Sequence, residues 1–234
     1  MTTKKLTELN WTAVNESLLD SGYSILPQIL SRDECRNLAA LYNQPDLFRS
    51  RIDMTKYRFG KGEYQYFRYP LPPRVQELRE IFYPNLLPAA NQWSETCGTG
   101  TPFPAQLTEF LERCHSASQT RPTPLILHYR EGDFNCLHQD IYGEVAFAFQ
   151  VVLFLSEPEQ DYSGGEFLLV EQAPRAQAMG RAFRLPRGSG LVFCTRYRPS
   201  QGKRSVYKVT MRHGLSPLTS GERWALGIIF HDSK

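Results

Sequence analysis

LILHYREGDFNCLHQDIYGE, residues 125–144, is the stretch on which the reading of the chain turns. An apolar run of strand length is followed by the turn-forming REGD and then by His138 and Asp140, two residues apart. In extended backbone, side chains at i and i+2 share a face, so this imidazole and this carboxylate would project together. Five histidines and eight aspartates in 234 residues place an H-x-D by chance in about one such chain in six. The pair therefore needs support from elsewhere in the sequence.

Downstream, short apolar runs recur at 147–155, 166–170, 190–195, 206–211 and 224–230, each bounded by Gly, Pro or Ser. Many short strands separated by turn signals indicate a sandwich or barrel rather than alternating βαβ units. Upstream the pattern is helical. Ser31 and Glu34 form a capping box ahead of Cys35, Leu38, Ala39 and Leu41, predicting a short helix that ends near Tyr42. Val75, Leu78, Ile81 and Phe82 repeat at helical spacing, as do Leu107, Phe110, Leu111 and Cys114. The fold class expected is α+β: a double-stranded β-helix (jelly roll, cupin-like) over 121–234 with N-terminal helices packed on it. The chain reads as a single domain, 1–234, whose residues 1–120 are mainly helical.

Residues 48–74 stand apart. Tyr57, Phe59, Tyr64, Tyr66, Phe67 and Tyr69 alternate with Arg49, Arg51, Lys56, Arg58, Lys61 and Arg68 around a G-K-G turn. A hairpin is expected, either part of the scaffold or a lid whose aromatic and basic groups stack a planar ligand.

Hydrophobic residues at 41% and charged residues at 22% exclude wholesale disorder and collagen-like repeats. No apolar run reaches the roughly 18 residues of a membrane span, and none has the form of a signal peptide, so a cytoplasmic location is the expectation. Five cysteines without a C-x-x-C pair suggest reduced, mostly buried thiols. The net charge of +3 conceals an asymmetry: from Gln172 to Ser220 there is no acidic residue, while Arg175, Arg181, Arg184, Arg187, Arg196, Arg198, Lys203, Arg204, Lys208 and Arg212 are basic. Either this forms a positive surface for an anionic partner, or it is balanced in space by Glu157, Glu159, Asp161, Glu166 and Glu171.

Support for His138 and Asp140 comes from SVYKVTMRH, which ends in His213 and is followed ten residues later by Arg223. Two imidazoles and one carboxylate from strands that neighbour one another in a jelly roll form a facial triad with open positions for non-haem Fe(II). Arg223 supplies a planar fork for a carboxylate deeper in the barrel. A competing reading is zinc held by Cys136 and His138 with Cys114 or His115, although paired spacing is lacking. Cys136 lies two residues from His138, either near the metal or simply packed. His115, His128 and His231 are read as structural. Asn135, Tyr142 and Gln150 are candidates for supporting or substrate-contacting groups, and Arg130, Arg196, Arg198 and Arg204 for an entrance.

H-x-D, a distal His and an Arg ten residues beyond it resemble the Fe(II)/2-oxoglutarate-dependent dioxygenases. The resemblance implies a double-stranded β-helix, iron ligands His138, Asp140 and His213, and Arg223 as the anchor of the 2-oxoglutarate carboxylate. Tyr129, nine residues before His138, matches a tyrosine that hydrogen-bonds 2-oxoglutarate. GGEFLLVEQ (164–172) and LPRGSGLVF (185–193) are similar to signatures of the prolyl-hydroxylase branch. LHQD is similar to AlkB-type nucleic-acid dealkylases, but where those carry a further arginine, six positions past the anchor, this chain has Ile229. From Trp11 through FGKGEYQYFRYPLPP, CHSASQTRPTPL and RHGLSPLTSGER to GIIFHD, the chain most closely resembles a family of bacterial oxygenases labelled as acting on damaged nucleic acid. The implied cofactors and co-substrates are Fe(II), 2-oxoglutarate and O₂. The implied reaction is decarboxylation to succinate coupled to hydroxylation or oxidative demethylation, with methylated DNA or RNA as substrate. A peptidyl, amino-acid or small-molecule hydroxylase is the alternative, and a non-enzymatic cupin-like metal-binding sensor the third class.

Overall fold

The computed structural model describes residues 6–98, 101–202 and 205–234, so Lys203 and Arg204 lie outside the described residues. In chain order the elements are α1 (Trp11–Ser21), β1 (Tyr23–Leu26), α2 (Arg32–Ala40), β2 (Phe48–Asp53), β3 (Gly60–Lys61), β4 (Glu63–Phe67), α3 (Pro73–Thr96) and α4 (Leu107–Ser116). There follow β5 (Leu125–Arg130), β6 (Phe134–His138), β7 (Phe149–Phe154), β8 (Tyr162–Gly164), β9 (Phe167–Gln172) and β10 (Met179–Phe183). The last four are β11 (Gly190–Cys194), β12 (Tyr197–Gln201), β13 (Val206–Leu215) and β14 (Leu218–Ile228).

These strands build two antiparallel sheets, and the fold is α+β with a jelly-roll core. The larger has the order β1-β11-β7-β14-β5-β4-β2, with β8 alongside β14; the smaller runs β10-β9-β13-β6-β3, with β12 alongside β13. β7 is buried on both faces over its whole length, because side chains of one parity face the smaller sheet and those of the other face the helices. That is why FQVVLF, Gln150 apart, is an apolar run rather than an alternating one. On the helical side, the Trp93 and Phe149 ring centroids are 4.6 Å apart. Tyr83 lies 4.9 Å from Phe147 and 5.6 Å from Phe110.

The N-terminal region is not simply helical. β1 extends the larger sheet along β11, and β2 and β4 extend its other edge along β5. Isolated short strands such as YSIL carry too little local signal, and only the sheet edge supplies their hydrogen-bond partners. The hairpin expected within 48–74 exists as β2 and β4 in the sheet, but G-K-G is not its turn. Gly60 and Lys61 cross to pair with β6 of the opposite sheet, joining the two sheets at that end. The segment is therefore scaffold, with Arg58 and Phe59 projecting beside the cavity described below.

Capping at α2 follows the sequence expectation: Ser31 accepts from the Glu34 amide while Glu34 reaches back to the Ser31 amide. α3 exceeds it, since the helix continues through Pro84 and Pro88 to Thr96. Proline normally breaks a helix by removing a donor and crowding the preceding turn. Here Asn15 of α1 is inserted at that point. Its amide donates to the Asn85 carbonyl at 2.9 Å, and its oxygen accepts from the Ala89 amide at 3.0 Å, so the displaced backbone groups remain satisfied. Among the described residues no helix is long and apolar enough to cross a membrane.

Candidate metal and anion site

β13 and β6 pair so that His213 and His138 are directly opposite. Residues opposite one another on adjacent strands share a face, and the two imidazole centroids are 4.2 Å apart. Asp140, just past the end of β6, turns back toward them: its Oδ1 lies 3.5 Å from His138 Nε2 and its Oδ2 3.1 Å from His213 Nε2. One ligand atom from each of the three falls within 4.8 Å of the others, and this is the only such His/Cys/Asp/Glu group among the described residues.

The tautomer of His138 is set by its neighbour. Nδ1 is 2.8 Å from the Cys136 carbonyl, which can only accept, so Nδ1 carries a proton and Nε2 is the nitrogen turned to Asp140. Burial opposes charge on this ring, but Asp140 raises its pKa above the ordinary value. Burial opposes charge on Asp140, yet the imidazoles of His213 and His138 outweigh it and hold the carboxyl well below its usual range. Burial and then the neighbouring His138 push the His213 imidazole below its ordinary value, against the pull of Asp140. Burial, the Asp140 charge and Tyr66 together keep the Tyr142 phenol protonated. It donates to Asp140 Oδ1 at 2.5 Å and accepts from Tyr66 Oη at 2.9 Å, leaving Oδ2 for the centre of the triad. Of the supporting candidates, Tyr142 thus has a defined partner. Asn135 donates to Tyr129 Oη at 3.4 Å.

The triad opens into a cavity of about 310 Å³ between the two sheets. Arg223, on the larger sheet, lines it from within at 2% exposure. Its Cα partner on β5 is Tyr129, and its guanidinium carbon lies 5.3 Å from the Phe154 ring, 5.8 Å from Tyr162 and 6.0 Å from Tyr129. Nε and Nη2 have no hydrogen-bond partner. A buried guanidinium with orphaned donors carries a large desolvation cost, and a planar carboxylate would remove it. The GGEF turn shapes this end. Gly164 and Gly165 sit at φ of +69° and +59°, and a Cβ on Gly165 would stand 2.6 Å from Leu218 and 3.4 Å from the Arg223 side chain. Only glycine permits both that backbone and that approach.

Other sequence expectations are placed differently. Cys136 is exposed and free rather than packed, and it serves the site through its carbonyl. The zinc reading is excluded among the described residues, because Cys114 is buried on α4 and His115 pairs with Asp232 at 3.0 Å instead. His128 stacks on Trp224 with 3.7 Å between centroids, and His231 is buried, as structural histidines are. The acid-free run is neutralised in part by the acidic residues of 157–171. Arg184 meets Glu159 and Glu166, Arg187 lies within 3.9 Å of Glu157 and 3.6 Å of Asp161, and Arg198 is 3.0 Å from Glu171. Arg130, Arg196 and Arg198 do not line the cavity; Arg58 does. Tyr66, which completes the chain to Asp140, carried no signal beyond its place in an aromatic segment.

A family model described as "Oxygenase, catalysing oxidative methylation of damaged DNA" matches residues 62–233. Uncharacterized proteins from two strains of Mycobacterium tuberculosis are 52% identical over 167 residues, covering 71% of this chain and 72% of the relative. Among solved structures, a Pseudomonas putida prolyl-4-hydroxylase superposes with a TM-score of 0.56 at 18% identity, over 96% of this chain and 99% of that one. A 2OG-Fe(II) oxygenase-family oxidoreductase from Burkholderia pseudomallei gives 0.54 at 16%, over 97% and 93%. The alpha-ketoglutarate-dependent epimerase SnoN of nogalamycin biosynthesis gives 0.57 at 11%, over 94% and 81%. At such identities the likeness is one of fold, and the fold shared is the jelly roll of 2-oxoglutarate/Fe(II) oxygenases. With the family model covering more than half of its length, the chain belongs to the oxygenase family that this description names.

Proposed function

We propose that this oxygenase is an Fe(II)/2-oxoglutarate-dependent dioxygenase that removes methyl groups from damaged bases in nucleic acid. His138, Asp140 and His213 would hold Fe(II), and Arg223 with Tyr129 would hold the far carboxylate of 2-oxoglutarate. Supporting this is one observation above others: a guanidinium without a carboxylate partner, buried in the same cavity as a His/Asp/His cluster. Two imidazoles and one carboxylate leave positions open for a chelating keto acid and for O₂. When bound, Fe(II) with 2-oxoglutarate and O₂ supplies an oxidant that yields succinate and CO₂ and inserts one oxygen atom into a substrate C–H bond.

The chain's own residues do the rest. Cys136 holds the His138 tautomer, and Tyr142 holds Asp140 in one orientation so that the ligand atoms converge before metal arrives. Burial by Phe193 and Phe167, whose rings lie 4.7 and 5.8 Å from that of His213, limits the access of water. Hydroxylation of an N-methyl carbon gives an N-hydroxymethyl group that releases formaldehyde, so oxygen insertion at such a carbon leads to loss of the methyl group. The nucleic-acid substrate is supported by the family's description and by the predominantly apolar and aromatic lining of the cavity, which suits an extruded base.

The test is anaerobic binding of Fe(II) and 2-oxoglutarate, then succinate release in air with and without methylated oligonucleotides, in wild type and His213→Ala. Succinate that rises with the oligonucleotide and vanishes in the variant is expected. Succinate indifferent to oligonucleotides would keep the chemistry and move the substrate to peptides or metabolites. No binding of either ligand would overturn the reading.

A further inference from the structure

The cavity has a second end, remote from Arg223. β7 and β14 pair with Ala225 opposite Phe154, Gly227 opposite Val152 and Ile228 opposite Val151. Gln150 is the next residue of β7 beyond the last of these pairs, and the strand from Arg223 to Ile229 spans about 20 Å. Gln150 lines the cavity at 3% exposure, and its Nε2 has no hydrogen-bond partner. Its Cα partner is Phe193, whose ring packs on that of His213. The orphaned amide therefore lies on the triad's flank, away from the anion end. Tyr66, Leu125 and Ile229 form one apolar cluster there with Tyr142 packed against it; Arg49 lies over the Tyr66 ring at 4.5 Å but does not line the cavity, and Tyr142 holds Asp140 of the triad.

A buried amide without partners is costly. It offers a donor and an acceptor in one plane, the pattern that matches adjacent acceptor and donor groups on a base edge. Apart from Asp140 of the triad, the groups of this wall that line the cavity are uncharged, and a flat neutral ring finds aromatic and branched aliphatic surface there. Resting on the function proposed above, we infer that Gln150 reads the substrate. Its amide hydrogen-bonds the edge of a neutral nucleobase lying against Tyr66, Tyr142 and Ile229, with the carbon to be oxidised turned toward the triad.

The experiment compares wild type, Gln150→Leu and Thr195→Val as Fe(II)- and 2-oxoglutarate-loaded enzymes, acting on a single-stranded oligodeoxynucleotide with one uncharged N-methylated base. Thr195 also has a buried, unpartnered hydroxyl but lies outside the cavity, so it controls for loss of any orphaned polar atom. Expected are a rise of about tenfold in KM for the oligonucleotide in Gln150→Leu, an unchanged anaerobic Kd for 2-oxoglutarate, and wild-type KM in Thr195→Val. Gln150→Met, unbranched and close in volume, repeats the measurement should the leucine variant fold poorly. Wild-type KM in both Gln150 variants would overturn the assignment while the substrate reading stands; a weakened 2-oxoglutarate Kd would overturn it by placing the amide at the other end. A wild-type enzyme that forms succinate but ignores the oligonucleotide would overturn both the substrate and its proposed reader.

Discussion

Arg79 and Arg223 are the two arginines buried among the described residues, and their surroundings are opposites. Arg79, on α3, donates to Tyr69 Oη at 2.9 Å, to the Phe230 carbonyl at 2.7 Å and to Asp232 at 3.0 Å. Its charge is matched within the fold, and it ties a helix to the end of the chain. Arg223 meets three aromatic rings and no carboxylate. A buried ion pair breaks badly when one member is removed, because the other is left uncompensated. A buried charge with no partner is already in that condition, and its partner must come from solution. Burial alone thus does not separate a structural arginine from a binding one, nor does a single orphaned donor, since Arg79 Nε also lacks a partner; the presence or absence of a buried carboxylate does.

The comparison is broken most directly by Arg223→Ala. Binding of 2-oxoglutarate should weaken by a hundredfold or more, on the order of the 2–5 kcal/mol lost when one partner of a buried charge pair is truncated, while Fe(II) binding changes less. Calorimetry should show no loss of Tm in the ligand-free variant. A wild-type affinity for 2-oxoglutarate, or a destabilised apoprotein, would place Arg223 in the same class as Arg79.

Asp232→Ala should do the reverse. Urea unfolding should reveal a loss of about 3–5 kcal/mol, since Arg79 stays buried without its carboxylate and Tyr69 and His115 lose an acceptor. If the variant unfolds at the wild-type midpoint, the Arg79 pair contributes nothing to the fold.

Tyr142→Phe sharpens the comparison on the carboxylate side, where Asp140 differs from Asp232 in having only imidazoles and a phenol as partners. Fe(II) affinity should fall by about tenfold, the lower range for loss of a group that orients a ligand, with circular dichroism unchanged. Equal iron affinity would mean that His138 and His213 orient Asp140 unaided.

Smallest of all is the effect expected from an exposed pair. Hydrogen bonds from Arg184 and Ser216 push Glu166 down to about 2, below its ordinary 4.5. Its contribution is present above pH 4.5 and is lost as pH falls from 4.5 toward 2, because the unfolded chain binds that proton first. Denaturation in that window should be less pH-dependent in Glu166→Gln, by a fraction of a kcal/mol given the exposure of Arg184. An identical pH profile would assign the acid transition to other groups.

Legibility of the chain divides along the same physical line. Six strands of the second half, β5, β7, β9, β11, β13 and β14, were readable because each buries a face and burial leaves an apolar run; the short, little-buried β6, β8, β10 and β12 left no such run. The capping box at Ser31 was readable because its donors and acceptors lie three residues apart. β1 and β3 were not, since their hydrogen-bond partners are distant strands. The long helix through Pro84 and Pro88 was hidden because its repair group, Asn15, sits seventy residues earlier. Likewise the sequence left open whether the acid-free run is a positive face or is balanced by 157–171, and only the fold set Arg184, Arg187 and Arg198 beside Glu157, Glu159, Asp161, Glu166 and Glu171.

By itself the sequence indicated a β-sandwich or barrel from its apolar runs, and through its resemblance to Fe(II)/2-oxoglutarate dioxygenases it pointed to the jelly roll, to the candidate ligands His138, Asp140 and His213, and to Arg223. Only the tertiary structure decided that the two histidines face one another across paired strands, that Tyr66 and Tyr142 orient Asp140, and that Arg223 and Gln150 are buried without partners. Such facts depend on which groups meet and which are left unmatched after folding, and those pairings come from strands far apart in the chain.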